Sequence, residues 1–136
     1  MTERKLLDSL SNLERVVSNL ERALAVPRDR ELVFEGTIHR FEMTIELMWK
    51  TLSRALAYEG VAAKTPRESL TRAFSLGWLH DEGIWLDMVQ NRNTTSHEYL
   101  AEELAEDNYD DIAKVAPLLR ATNDLLQSKY SALKPR

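Results

Sequence analysis

The sequence predicts an all-α protein, an up-and-down bundle of four to five helices. Three observations carry this expectation. Only four Gly and four Pro punctuate 136 residues. The β-branched alternation that marks strands is scarce. Three long segments space their apolar residues by alternating steps of four and three, the seam by which helices pack in bundles.

The first segment carries Leu6, Leu10, Leu13, Val17, Leu20 and Leu24 and should end near Pro27. The second runs from about Arg30 to Tyr58, with Phe34, Ile38, Phe41, Ile45, Met48, Leu52 and Ala55 on its seam. Met43, Leu47 and Trp49 lie off that seam. A helix apolar on more than one side needs more than one neighbour, as at a domain centre or a dimer contact. Gly60 is placed to stop it. Thr65-Pro66-Arg67-Glu68 reads as a helix start, with Thr65 as cap, Pro66 in the first turn and Glu68 able to close a capping box. Leu70, Ala73 and Phe74 are then expected to face inward, and Gly77 to end this short helix. Asp81 is the expected cap of a helix through Ile84, Trp85, Met88 and Val89, which should fray near Asn91 to Asn93. The last segment spaces Ala105, Tyr109, Ile112, Ala116, Leu119, Asn123, Leu126 and Tyr130 by the same steps. Pro117 interrupts it, so a kink or break is expected there. There are no internal repeats, and residues 1–136 read as one domain.

Composition narrows the function. Without cysteine there is no thiolate chemistry and no cysteine-bound zinc or iron–sulfur centre; this suits a cytoplasmic protein. Apolar runs are too short for a membrane span, and the first residues lead into a helix pattern unlike a signal peptide. The net charge of −4 argues against a broad nucleic-acid-binding face. No Gly-rich phosphate loop and no Gly-x-Ser-x-Gly occurs.

Reactive groups concentrate in Arg92-Asn93-Thr94-Thr95-Ser96-His97-Glu98-Tyr99. On an unbroken helix Arg92 and His97 would stand about 140° apart. Thr94, Thr95 and Ser96 are poor helix interiors, and a break there would let both side chains turn to one side. An extended His97-Glu98-Tyr99 would put His97 and Tyr99 on the same side. An imidazole moves protons near neutral pH and a guanidinium stabilises charge on a phosphate. Together they suit cleavage of an RNA phosphodiester by its own 2′-hydroxyl, without metal. The usual acid–base pair would need a second histidine, which a two-fold dimer supplies. The plainer reading is a polar link between helices, Arg and His satisfying carbonyls and the helix dipole.

Other polar groups have plainer explanations. Glu35, His39, Glu42 and Glu46 share one helix flank but lack the Glu-x-x-His pairs of di-iron bundles, and Arg40, Lys50 and Arg54 can pair with them. His80-Asp81-Glu82 reads as a capping turn. Glu98, Glu102, Glu103, Glu106, Asp107, Asp110 and Asp111 form either a dipole-favoured solvated helix start or a docking surface for a basic partner. Trp49, Trp78 and Trp85 read as core or interface anchors rather than base-stacking platforms. No metal or cofactor is expected.

The ordered set of motifs resembles the HEPN superfamily. Arg92-x4-His97 matches its Arg-x4-6-His signature, and Arg92-x4-His97-x-Tyr99 is similar to the HepT toxins. Arg40 to Leu52 is similar to the family's central helix, Thr65-Pro66-Arg67-Glu68 to its Ser/Thr-Pro-Arg-Glu turn, and Ile84 to Met88 and Glu102 to Ala105 to the flanks of its motif. The likeness spans about Phe34 to Tyr109. Leu100 and Ala101 depart from the polar cap expected after the tyrosine. The resemblance implies a homodimer in which two Arg–His motifs face each other. It implies a metal-independent endoribonuclease, the toxin of a toxin–antitoxin pair, with Arg92 on the scissile phosphate, Asn93 in support and His97 as acid/base. Its implied partner is a minimal nucleotidyltransferase antitoxin that AMPylates Tyr99. An older label of the family, nucleotidyltransferase substrate-binding protein, implies the alternative, a non-catalytic adaptor that binds the nucleotidyltransferase or presents a substrate to it.

Overall fold

The computed structural model describes the backbone of residues 2–98 and 102–133, and the side chains of residues 3–90 and 106–133. Five helices follow one another: α1 (Thr2–Ala25), α2 (Val33–Tyr58), α3 (Pro66–Ser75), α4 (Glu82–Glu98) and α5 (Glu102–Lys129). No strand occurs among the described residues.

The apolar seams become the core. Leu6, Leu13 and Leu20 of α1, Ile38, Ile45 and Leu52 of α2, and Leu119 and Leu126 of α5 are all essentially inaccessible to solvent. Truncating one such leucine to alanine costs about 2–5 kcal/mol, more than any surface ion pair of this bundle contributes. The helix ends follow from local chemistry. Thr65 Oγ1 accepts the Glu68 amide at 3.1 Å, with Pro66 in the first turn. α2 and α3 stop in the same way. Gly60 and Gly77 take φ of +85° and +78°. Each lets the next residue reach back five positions, Val61 N–H to the Leu56 carbonyl and Trp78 N–H to the Ala73 carbonyl. Glycine adopts this left-handed turn without a Cβ penalty.

Side-chain contacts fix the helix directions. Ser9 meets Thr51 and Thr44 reaches the Val16 carbonyl, so α1 and α2 are antiparallel. Gln127 reaches the Leu10 carbonyl and Tyr109 the Leu24 carbonyl, so α5 is antiparallel to α1 as well. The rings of Phe34 and Tyr109 pack edge to face at one end, and those of Tyr58 and Tyr130 at the other, so α2 and α5 run parallel. The short α3 and then α4 carry the chain back between them.

Two buried polar chains join the helices. Thr51 gives its proton to the Leu47 carbonyl (2.7 Å), so Ser9 donates to Thr51 (3.0 Å) and accepts from Arg54 (2.6 Å). Asn123 stands at an apolar register position of α5 and is 0% exposed. It donates to Glu14 (3.0 Å) and accepts from Gln127 (3.0 Å), which removes the cost of hiding an amide.

Three expectations need correction. α5 passes through Pro117 as one helix; the proline is on an exposed face, where the ring meets solvent rather than a neighbour. Phe74 is 41% exposed, not inward, because α3 is short and only Ser69, Leu70 and Ala73 reach its neighbours. Ile84 is likewise exposed beside the buried Trp85 and Met88. Asp81 precedes α4 at φ +58°, and its carbonyl takes the Ile84 and Trp85 amides.

Candidate functional site

α4 positions the polar motif. Trp85 (1% exposed) and Met88 are sunk in the core, and the helix packs chiefly on α3 and α2, least on α5. Arg92 lies one heptad after Trp85 and one turn after Met88, so its register continues the buried stripe of α4. Asn93 and His97 are four residues apart and share a neighbouring flank, below the half-buried Val89. The backbone is helical without a break through Glu98. This corrects the expected fraying at Asn91 to Asn93, the restart after Ser96 and an extended His97-Glu98. The backbone positions of Arg92 and His97 therefore stand about 140° apart around one axis. The side chains of Arg92, Asn93 and His97, and Tyr99 altogether, lie outside the described residues.

The surroundings are well defined. On α2, Glu35 and His39 are exposed and Glu42 and Glu46 half-buried; Glu46 pairs with Lys50 at 3.5 Å. No group of three or more His, Asp or Glu poised for a metal occurs among the described residues. Of the acidic stretch, Glu106 and Asp110 turn to Arg28, at 3.6 and 2.9 Å. The Arg28 guanidinium also stands 4.8 Å from the Tyr109 ring centre and 5.7 Å from that of Phe34. Part of the acidity thus ties the first turns of α5 to the α1–α2 loop, while Asp107 and Asp111 remain exposed. Arg28 has no spacing that marks it in the sequence, where it stands in the mixed-charge stretch Arg28-Asp29-Arg30-Glu31.

Trp78 and Trp85 are core residues and Trp49 is half-buried. The Trp49 and Trp85 ring nitrogens are buried without a hydrogen-bond partner among the described residues, and rings buried in this way are not open to stack on a base. Among the described residues no helix is long and apolar enough to cross a membrane.

No curated protein matched the sequence. A family model described as nucleotidyltransferase substrate binding protein like matches residues 8–128, which include all of α2, α3 and α4 and the whole Arg92–Tyr99 stretch. The chain belongs to this family, the nucleotidyltransferase substrate binding protein like proteins, which is of HEPN type.

Proposed function

We infer that the chain is the toxin of a toxin–antitoxin pair, a metal-independent endoribonuclease that works beside a nucleotidyltransferase. The observation that carries this reading is Arg92-x4-His97-x-Tyr99 at the end of α4, within a chain of this family. The unbroken helix sharpens how such a site would have to be built. With Arg92 and His97 on different faces of α4, one copy offers each group to a different side. Two copies about a two-fold axis bring the Arg92 face of each towards the His97 flank of the other. They also supply the two histidines that acid–base cleavage needs. One imidazole takes the proton of the 2′-hydroxyl as it attacks the adjacent phosphate. The other protonates the departing 5′-oxygen, and Arg92 offsets the charge that grows on the phosphate. Asn93, on the His97 flank, holds the histidine or the RNA in place. AMP placed on Tyr99 by the nucleotidyltransferase adds bulk and a negative phosphate where the RNA phosphate would sit, and switches the site off.

The test is cleavage of RNA by the purified chain with chelator present. His97→Ala should slow it by about a hundredfold or more, and size-exclusion chromatography should give a dimer. Absence of cleavage, or cleavage untouched by His97→Ala, would overturn the reading. A second reading is favoured by the family's description as substrate binding and by the net negative charge: a non-catalytic adaptor that binds the nucleotidyltransferase. Intact mass after co-expression separates the two. AMP on the Tyr99 peptide supports the toxin. Tight binding of the partner, with Tyr99 unmodified and no growth inhibition when the chain is expressed alone, supports the adaptor.

A further inference from the structure

A cavity of about 250 Å³ opens where the end of α1 meets the start of α2. It is smaller than the roughly 300–1,000 Å³ of drug-sized sites, so it suits a small ligand. Its lining combines cations with apolar surface. Arg22 and Arg40 both border it, as do Val26 and Leu32. Arg22 hydrogen-bonds Asn19, another lining residue. Arg40 makes no ion pair with any described side chain, its neighbours three and four residues away on α2 being Gly36, Thr37, Met43 and Thr44.

Val33 and Gly36, at the start of α2, also line this wall, and the helix start is built unusually. Its N-cap is Leu32, at φ +66° with no side-chain cap. Leucine in the left-handed region is strained, and such strain gathers where a ligand or switch is served. Leu32 is also 71% exposed. Serine, threonine, aspartate or asparagine would be the ordinary cap. Without one, the Phe34 and Glu35 amides find no acceptor among the described residues. Uncapped amides and the helix dipole favour an anion.

Thr37 gives an independent sign. It lines the cavity, is 1% exposed, and its hydroxyl has no hydrogen-bond partner among the described residues. Thr44 and Thr51 follow at heptad spacing on the same helix. Each gives its proton to the carbonyl four residues back, at 2.7 Å. Thr37 does not, and a buried hydroxyl left unpaired is costly unless something else takes it. Gly36, next to it on the wall, has open space where a Cβ would stand. Alanine would serve the helix better there; glycine keeps the cavity wide.

We propose that this corner binds a small organic phosphate ester. Arg22, Arg40 and the open first turn of α2 hold the phosphate, and Val26 and Leu32 cover the apolar body. Glu31 also lines the cavity. Its carboxylate accepts from a hydroxyl or amino group, so the ligand carries a hydrogen-bond donor besides its anion. The site rests on none of the residues Arg92 to Tyr99, and its test cleaves no RNA.

The experiment is calorimetric titration of the full chain with AMP, inorganic phosphate and adenosine, followed in parallel by amide NMR. AMP should bind saturably and more tightly than either fragment, with the largest shifts at Phe34, Glu35 and Gly36. Arg40→Ala should weaken AMP by about tenfold or more. Gly36→Glu should abolish binding by filling the cavity with a like charge, while an acid in the first turns of α2 suits the helix dipole. Gly36→Ala, read by thermal melting, should fold at least as stably as the parent. Absence of saturable AMP binding overturns the proposal. Phosphate binding as tightly as AMP, adenosine binding as tightly as AMP, or affinity unchanged in Arg40→Ala and Gly36→Glu, overturns it as well.

Discussion

Tyr130 closes the seam of α5 with a buried ring whose hydroxyl bonds to nothing among the described residues. The ring itself is well used, packed edge to face on Tyr58 at 5.7 Å and capped by the Lys129 ammonium at 5.5 Å. Burial, then the nearby Glu59 carboxylate and Tyr58, push the phenol up from its ordinary 10.0 to about 12. The folded state thus holds the neutral phenol more firmly than the unfolded chain does. That contribution is complete below the ordinary value and is lost as pH rises towards the raised one. Tyr130→Phe should therefore be neutral or stabilising, by up to about 1 kcal/mol, in urea melts at neutral pH. It should also flatten the alkaline loss of stability between those two values. A drop of more than that at neutral pH would mean the hydroxyl has a partner after all. From the sequence, Tyr130 was legible as a seam residue and its idle hydroxyl was not, because hydrogen bonding depends on what lies across the interface.

Helix ends were written locally and helix interiors were not. Thr65, Pro66, Gly60 and Gly77 act through bonds to residues within five positions of themselves, so spacing alone located them. Pro117 and the Thr94-Thr95-Ser96 run do not end the helices that contain them. Serine and threonine cost only about half a kcal/mol each against alanine, and no glycine or proline stands between Asn91 and Glu98. Each residue that stays helical adds a backbone bond, and α4 is already held by Trp85 and Met88, so it continues. Pro117 removes the donor that would face the Ala113 carbonyl, on a side of α5 where both residues are exposed. Water can reach that carbonyl, and long neighbouring turns hold the helix together. Pro117→Ala should restore the bond and raise the thermal midpoint, by about 1–3 kcal/mol of stability. A lower midpoint would show that α5 depends on the shape its proline gives it.

Across the whole molecule, α1 is the strut that holds the first and last parts of the chain together. Arg120 of α5 reaches Glu21 at 2.5 Å, Glu14 at 3.1 Å and Asp124 at 3.1 Å, and Ser18 at 3.2 Å. Glu14 in turn accepts from Ser18 and Asn123. The Ser18 hydrogen bond first, and then those from Arg120 and Asn123 with the Arg120 charge, draw the Glu14 carboxyl below its ordinary 4.5, against the opposing pull of its partial burial. Its contribution is present above that value and is lost as pH falls through the lowered one. The group is nearly half exposed, so solvent screening limits the effect to about 1 kcal/mol or less. Glu14→Gln should shift the acid limb of the stability curve, measured by urea melts across the acid range, and leave the alkaline limb alone. An acid limb identical to that of the parent would remove Glu14 from the account.

The sequence by itself determined an all-helical bundle of four to five helices, the seams that form the core and the residues worth testing as a site. Each of these depends on spacing along one chain: 3.6 residues per turn, a cap three residues before its amide, an arginine five before a histidine. Only the tertiary structure decided that Arg28 would spend its charge on α5, that Asn123 would be satisfied inside the core, and that Thr37 and Arg40 would border one cavity with Arg22. These are meetings between residues far apart in the chain, and no periodicity encodes them. The unbroken α4 lies between the two cases. Its residues argued locally for a break, and packing at Trp85 and Met88 prevailed because a helix anchored in a core tolerates several weak formers in a row.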